Sequence, residues 1–387
     1  MPLIILIVFL LNILSVAVLA SAGWLGWTWY TGFLIEAPNG DFVRAREDWR
    51  LWLALGLLAW SFLGRYVVLA LLARPDGVAE RSQAKRGDGR QIEGHDGASL
   101  YVETSGQGVG LGAGPTLVLT HGWGLDSTIW GLMRNALATR YRIVAWDLPG
   151  LGRSKRGNSK AICLSGFAEN LKRVMATVDG PVVLVGHSIG GMTIQTLARD
   201  HPEVLSRNVS GIVLLNTTFT NPLKTMVLSR LLQALRWPVI EPIMWMMVLL
   251  KPLIWLSAWQ GYFSGSAHIG NRLGFGKYVT RSQLDHTALL PTRNPPSVQG
   301  HGNLAMFRWD ATGALSSSPV PVLVIGGDVD IVTKLEASRV IAASTPSAEL
   351  KVVEGVNHMG FLERSDVYAQ AIDRFAAKLP RTAQAIS

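Results

Sequence analysis

The seven residues VGHSIGG, numbers 185–191, hold a serine between glycines, G-x-S-x-G, with Ser188 at the centre. A glycine-rich chain carries such a motif by chance often enough that its meaning rests on its flanks. PVVLV (181–185) precedes it as a short, apolar, β-branched run, and a helical pattern begins at Ile189. A serine forced into a sharp strand-to-helix turn needs neighbouring backbones to come close, which Gly186 and Gly190 allow. The N-terminus of the following helix favours negative charge at the same spot. The stretch reads as a turn built to present a nucleophile, provided the rest of the chain supplies a base and an acid.

Working outward, short apolar runs alternate with helical stretches. Residues 90–104 read as a hairpin around Asp96-Gly97, and GQGVGLGAG (106–114) as a loop whose spacing fits no phosphate-binding fingerprint. TLVLT (116–120) ends in HGWG, RIVAW (142–146) in DLPGLGRS, and GIVLLN (211–216) in two threonines. VPVLVIGG (320–327) ends in DVD, and ELKVVEG (349–355) in VNH. Helical patterns cover 127–139, 164–178, 189–199, 334–343 and 364–378. The expected fold is α/β: a mostly parallel sheet covered on both faces, formed by residues 91–222 and 316–387, with its chemistry at the carboxyl ends of the strands. Residues 223–315 interrupt that alternation with a Trp- and Met-rich helical region and then a polar stretch marked by Gly and Pro, and they read as a lid over the strand ends. Lys224, Arg230, Arg236 and Lys251 against Glu241 suit contact of that lid with anionic lipid.

A serine hydroxyl needs a base to take its proton. Of eight histidines, His358 alone follows the last core strand, where the order Ser–Asp–His places the base. Asp328 and Asp330 both follow VPVLVIGG, and Asp330 is preferred as the residue that orients the base because it lies deeper in the loop, beyond Gly326-Gly327. The loop after GIVLLN has Asn216, Thr217 and Thr218 and no carboxylate to compete. A tetrahedral intermediate needs two N–H donors. The backbone of Ile189 is one, and the HGWG turn, with Gly122 letting the chain bend inward, offers Trp123 as the other. Asp147 in DLPGLGRS reads as part of a structural turn. The chain calls for no cofactor and no metal.

The first 90 residues differ in kind. Residues 3–22 carry no charge and are long enough to span a hydrocarbon core of roughly 30 Å. Trp24, Trp27, Trp29 and Tyr30 follow as an interfacial belt, so 1–30 is expected to be a first transmembrane helix. Ala20-Ser21-Ala22 resembles a signal-peptide cleavage site, but the segment before it has no Lys or Arg, which favours a retained anchor. Residues 31–50 are expected to be a loop, 51–73 a second transmembrane helix carrying Arg65, and 74–90 a polar linker. Lys and Arg are richer after the second helix than between the two, which puts the large domain on the cytoplasmic side. Hydrophobic residues make up 49% of the 387, and the net charge of +9 collects beside apolar segments. That distribution suits anionic headgroups and shows no basic stripe for nucleic acid. A single cysteine, Cys163, excludes internal disulfides.

HGWG (121–124), DLPGLGRS (147–154), GHSIGG (186–191), GGDVD (326–330) and Asn357-His358 together resemble the α/β-hydrolase superfamily, in order and spacing, over roughly residues 90–380. The serine at 188 differs from the aspartate of epoxide hydrolases and haloalkane dehalogenases, and Ile189 from the tryptophan usual in proline iminopeptidases. The anchor and apolar lid are similar to membrane-bound monoacylglycerol lipases. The resemblance implies a membrane-anchored serine hydrolase of carboxylic esters, with lipophilic or lipid substrates, working through an acyl-enzyme. An acyltransferase with the same triad is one alternative, and a non-catalytic lipid-binding protein on the same scaffold another. Substrate identity and oligomeric state stay open.

Overall fold

The computed structural model describes residues 2–106, 114–158, 162–180 and 182–379. Most of the loop expected at 106–114 lies outside the described residues.

Among the described residues there are ten strands. A hairpin of β1 (Phe33–Glu36) and β2 (Phe42–Ala45) stands apart from an eight-stranded sheet. That sheet comprises β3 (Gly89–Glu93), β4 (Ser99–Ser105), β5 (Thr116–Thr120), β6 (Ile143–Trp146), β7 (Val182–His187), β8 (Val209–Leu215), β9 (Val322–Gly327) and β10 (Ala348–Val353), in the spatial order 10-9-8-7-5-6-4-3. Pairings from β10 across to β6 are parallel, and β6/β4 and β4/β3 are antiparallel. Buried on both faces, the inner strands are apolar throughout. Successive residues serve opposite cores: Leu184, Ile212 and Leu214 pack on one side, and Val183, Val185, Val213 and Leu215 on the other. Because the central strands run parallel, the loops after β5, β7, β8, β9 and β10 all emerge along one edge.

Between β8 and β9 the chain forms a helical insertion. Helices Arg236–Leu249 and Lys251–Ser264 meet at a bend of 101°. The polar stretch that follows is helical as well: Ser266–Arg272, Arg281–Arg293 and Pro296–Met306. A capping box between Thr280 and Gln283 starts the second of these, and Pro296 sits at the first helical position of the third, where a missing N–H costs nothing.

Helices Pro2–Thr31 and Asp48–Leu72 are long and apolar enough to cross a membrane. The second begins three residues before the apolar run, because Asp48 is favourable in a helix's first turn. The segment expected to be a plain loop between them holds the β1–β2 hairpin, turned at Asn39-Gly40, where Gly40 has φ +86°. These two helices pack against the insertion. Ser15 Oγ donates to Ser264 Oγ at 2.7 Å, Ser266 Oγ to Asn12 at 3.3 Å, and Gln260 Nε2 to the Ser61 carbonyl at 3.3 Å. A Cβ on Gly64 would lie 2.4 Å from the Ser264 carbonyl, so a glycine is what brings the backbones this close.

The segment 74–90, expected as a linker, is docked. Arg86 donates to Asp126 at 2.7 Å and to Asp147 at 2.9 Å, and both carboxylates are buried. Asp147 also accepts the Ser127 N–H at 2.6 Å and the Arg153 N–H at 2.8 Å, so it organises a turn, as its sequence context suggests. Ser82 is buried against His286 of the insertion. His286 Nε2 faces Thr128 Oγ1 at 3.0 Å, and Thr128 gives its own hydrogen to Asp126. Nε2 therefore carries the proton, and Nδ1 accepts from Ser82 Oγ at 2.8 Å.

Burial pushes His286 down to about 4, only partly opposed by Asp126 and Asp285, with Arg293 adding to the depression. The unfolded chain binds this proton near pH 6.5 and the folded chain only near 4, so stability falls as pH drops through that window. The full effect is on the order of 3 kcal/mol. Chemical denaturation of detergent-solubilised protein between pH 7 and 4 should show this loss, and the His286→Asn variant should show a flatter profile.

Candidate active site

Ser188 follows β7 at φ 52°, ψ −117°, a conformation that costs on the order of 1–3 kcal/mol and persists only where the surroundings over-determine it. Three hydrogen bonds do so. The Ser188 N–H donates to the Leu215 carbonyl at 3.0 Å, and its own carbonyl accepts from Thr217 Oγ1 at 2.6 Å and from the Met192 N–H at 3.0 Å. A Cβ on Gly190 would lie 2.1 Å from the Thr120 carbonyl, and one on Gly186 2.5 Å from the Gly190 backbone. Both glycines are therefore required for β5, β7 and the Ile189–Asp200 helix to converge here.

The loop after β10 brings His358 over the serine, with Nε2 3.0 Å from Ser188 Oγ. Its Nδ1 lies 3.2 Å from Asp330 Oδ2. Asp328, the other candidate, is exposed and accepts the Gly355 N–H at 2.7 Å, far from this role. Asp330 is buried and accepts the Val332 and Thr333 N–H groups, each at 2.8 Å, the Thr333 hydroxyl at 2.9 Å and the Asn216 amide at 3.0 Å. Burial alone would raise its pKa, but His358 and these donors outweigh it and hold the carboxyl down to about 2. It is ionised throughout the working range of a histidine.

Sequence reading considered Asn216 only as a missing carboxylate. In the fold it is a hub at φ 44°: it donates to Asp330 and to the Asn357 carbonyl at 3.1 Å, and accepts from Tyr368 at 2.7 Å. Glu363 was also missed. Buried, it accepts the Asn357 N–H at 3.2 Å, and the Asn357 side chain in turn accepts the His358 N–H at 2.8 Å. His187, beside the elbow, donates Nε2–H to the His358 carbonyl at 3.0 Å. Burial first, and His358 second, hold His187 well below its usual range, so it stays uncharged. Gly122 leaves room for that ring, since a Cβ there would lie 2.6 Å from His187 Nδ1.

The two residues expected as backbone donors lie on elements that adjoin the elbow. Ile189 is the first residue of its helix, where an N–H has no intrahelical acceptor. Trp123 lies in the turn after β5, its indole N–H donating to the Gln299 carbonyl of the insertion at 3.1 Å. His121 shapes this turn: its Nδ1 donates to the Gly122 carbonyl at 2.8 Å, and its Nε2 accepts the Leu148 N–H at 3.0 Å. Chemically, the arrangement can deprotonate a hydroxyl, hold an imidazolium beside a fixed carboxylate and receive an oxyanion. Among the described residues no group of three or more His, Cys, Asp or Glu is placed to hold a metal ion.

An apolar cavity of about 150 Å³ adjoins the site, reaching it through His358 and Trp123. The model of the alpha/beta hydrolase family matches residues 117–371, well over half of the chain. A pimeloyl-[acyl-carrier protein] methyl ester esterase of Yersinia pseudotuberculosis is 27% identical over 285 residues, covering 72% of this chain and 97% of that protein. The protein of the same name from Nitrosospira multiformis is 28% identical over 293 residues, covering 72% and 98%. In three dimensions an esterase from Exiguobacterium antarcticum superposes with a TM-score of 0.59 at 19% identity, covering 75% of this chain and all of that one. The sheet order, the strained serine after β7 and the family match together place the chain in the alpha/beta hydrolase family.

Proposed function

We propose that the protein is a membrane-anchored serine hydrolase that cleaves carboxylic esters of lipophilic acyl chains. The observation that carries this is the continuous contact Ser188 Oγ–His358 Nε2 at 3.0 Å and His358 Nδ1–Asp330 at 3.2 Å, beside an apolar cavity. Relatives named as methyl ester esterases support ester chemistry. With Nδ1–H donated to Asp330, the Nε2 lone pair of His358 faces the serine hydroxyl and takes its proton as Oγ attacks the ester carbonyl. The oxyanion accepts from the Ile189 and Trp123 N–H groups, and the helix N-terminus at Ile189 adds favourable potential. His358 then passes its proton to the departing alkoxide, leaving an acyl group on Ser188. A water deprotonated by His358 attacks that acyl-enzyme, and the proton returns to Ser188 as the acid leaves. Asp330 keeps its charge throughout and holds the imidazole in the required tautomer.

Helices Pro2–Thr31 and Asp48–Leu72 serve as the anchor, and the insertion as a lid. Residue 4 of the first helix and residue 74 after the second both lie on the domain side, so a cytoplasmic domain implies that the β1–β2 hairpin lies across the membrane.

The test of the chemistry is hydrolysis of p-nitrophenyl esters from acetate to palmitate by solubilised protein. Ser188→Ala should lower kcat about a thousandfold or more with folding intact; a variant that hydrolyses these esters as well as the parent would remove Ser188 from the mechanism. Topology has its own reporter, because Cys163 is the single cysteine and is exposed. A membrane-impermeant maleimide should label it in inside-out vesicles and leave it unlabelled in sealed right-side-out vesicles. The reverse pattern would place the domain on the outer side.

A further inference from the structure

The cavity beside His358 has an unexpected wall. Besides core and insertion residues it is lined by Ile4, Ile5, Val8, Phe9 and Asn12 of the first helix. From residue 4 through the opening turns of that helix the buried residues are Ile4, Asn12 and Ser15, and with Val8 they recur at intervals of three and four along one face. The opposite face carries Leu10, Ile13 and Leu14, each more than half exposed. The neighbouring insertion is apolar and exposed too, with Leu249 at 74% and Leu256 at 67%. An outward surface this apolar, continuous with two helices long enough to span a bilayer, has lipid as its fitting surroundings.

The cavity itself is small. About 150 Å³ matches a void that accommodates a benzene-sized guest, far less than a long acyl chain. The first helix meets the insertion along one side of the cavity through small groups: a Cβ on Gly270 would lie 2.3 Å from a Val8 methyl, and one on Gly261 2.0 Å from the Asn12 amide oxygen. We propose that residues 4–12 of the first helix form the bilayer-side wall of the acyl pocket, so that the chain of a membrane-dissolved ester enters sideways between this helix and the insertion. This rests on the serine-hydrolase reading above and adds to it a substrate class, single-chain or longer lipid esters already in the bilayer, and a determinant of chain length outside the hydrolase core.

The experiment uses full-length protein in bilayer nanodiscs, with Cys163→Ser, Val8→Cys and Gly270→Cys. A Cβ at Gly270 would lie 3.5 Å from Val8 Cβ, within the reach of a disulfide. Oxidation should lower the ratio of kcat/KM for p-nitrophenyl palmitate to that for the butyrate at least tenfold, and reduction should restore it. An unchanged ratio in fully cross-linked protein overturns the sideways route. Phe9→Ala leaves the Gly270 contact alone and should raise the same ratio several-fold; no rise counts against the wall. A hexadecyl fluorophosphonate with a terminal diazirine then reports position directly. Photolysis after phosphonylation of Ser188 should mark peptides within residues 4–12, whereas marks confined to the insertion overturn the inference. Absence of phosphonylation at Ser188 would instead overturn the serine-hydrolase reading, and the inference with it.

Discussion

The constraint on which the rest depends is the backbone of one residue. Ser188 sits at φ 52°, a region that costs an L-residue energy, and it is held there by hydrogen bonds to the Leu215 carbonyl of β8, from the Thr217 hydroxyl and from the Met192 N–H of the following helix. That geometry demands that β5, β7, β8 and the following helix converge within van der Waals contact, which only glycine at 186 and 190 permits. Once β7 lies centrally between β5 and β8, the parallel pairings send every other loop to the same edge. The serine is exposed to chemistry because the strand stops abruptly, and the strand can stop abruptly because the loops around it supply the missing partners.

Those partners form a second layer. Asp330 could not remain ionised in a dry interior without compensation, and five contacts provide it: four donors and the His358 ring. Asn216 joins that carboxylate to Tyr368 and to the backbone of the histidine loop, while Glu363 and Asn357 fix the loop from below. The two groups answer burial differently: Asp330 stays charged because His358 and its donors outweigh burial, and His187 stays neutral because burial, and then His358, disfavour its charge.

The first two helices obey different physics. If they lie in a bilayer, as their length and apolarity allow, their association with the insertion gains little from burying more hydrocarbon, and close backbone approach and hydrogen bonds are what remain to carry it. Gly64, Gly261 and Gly270 supply the approach, and Asn12, Ser15, Gln260 and Ser264 the bonds. These polar residues look out of place in an apolar run until the partner helices are seen.

The sequence by itself was sufficient for the architecture and for Ser188, His358 and Asp330 as candidates. Buried parallel strands must be apolar at every position, and an elbow must have its glycines, so both leave marks that are local and periodic. The two apolar helices were legible for the same reason, since length and lack of charge are local properties. Tertiary structure decided the rest. Asn216 meets Asp330 and Tyr368 across more than a hundred residues of chain, and no local pattern marks an asparagine that supports a distant carboxylate. The segment 74–90 was polar and read as a linker, yet Arg86 is held by two buried carboxylates that only the folded sheet brings together. That the first helix walls the cavity was likewise invisible, because its residues are the same apolar types whether they face lipid or a pocket. Local chemistry names the groups and their elements; which of them touch is set by the packing of segments that the chain keeps far apart.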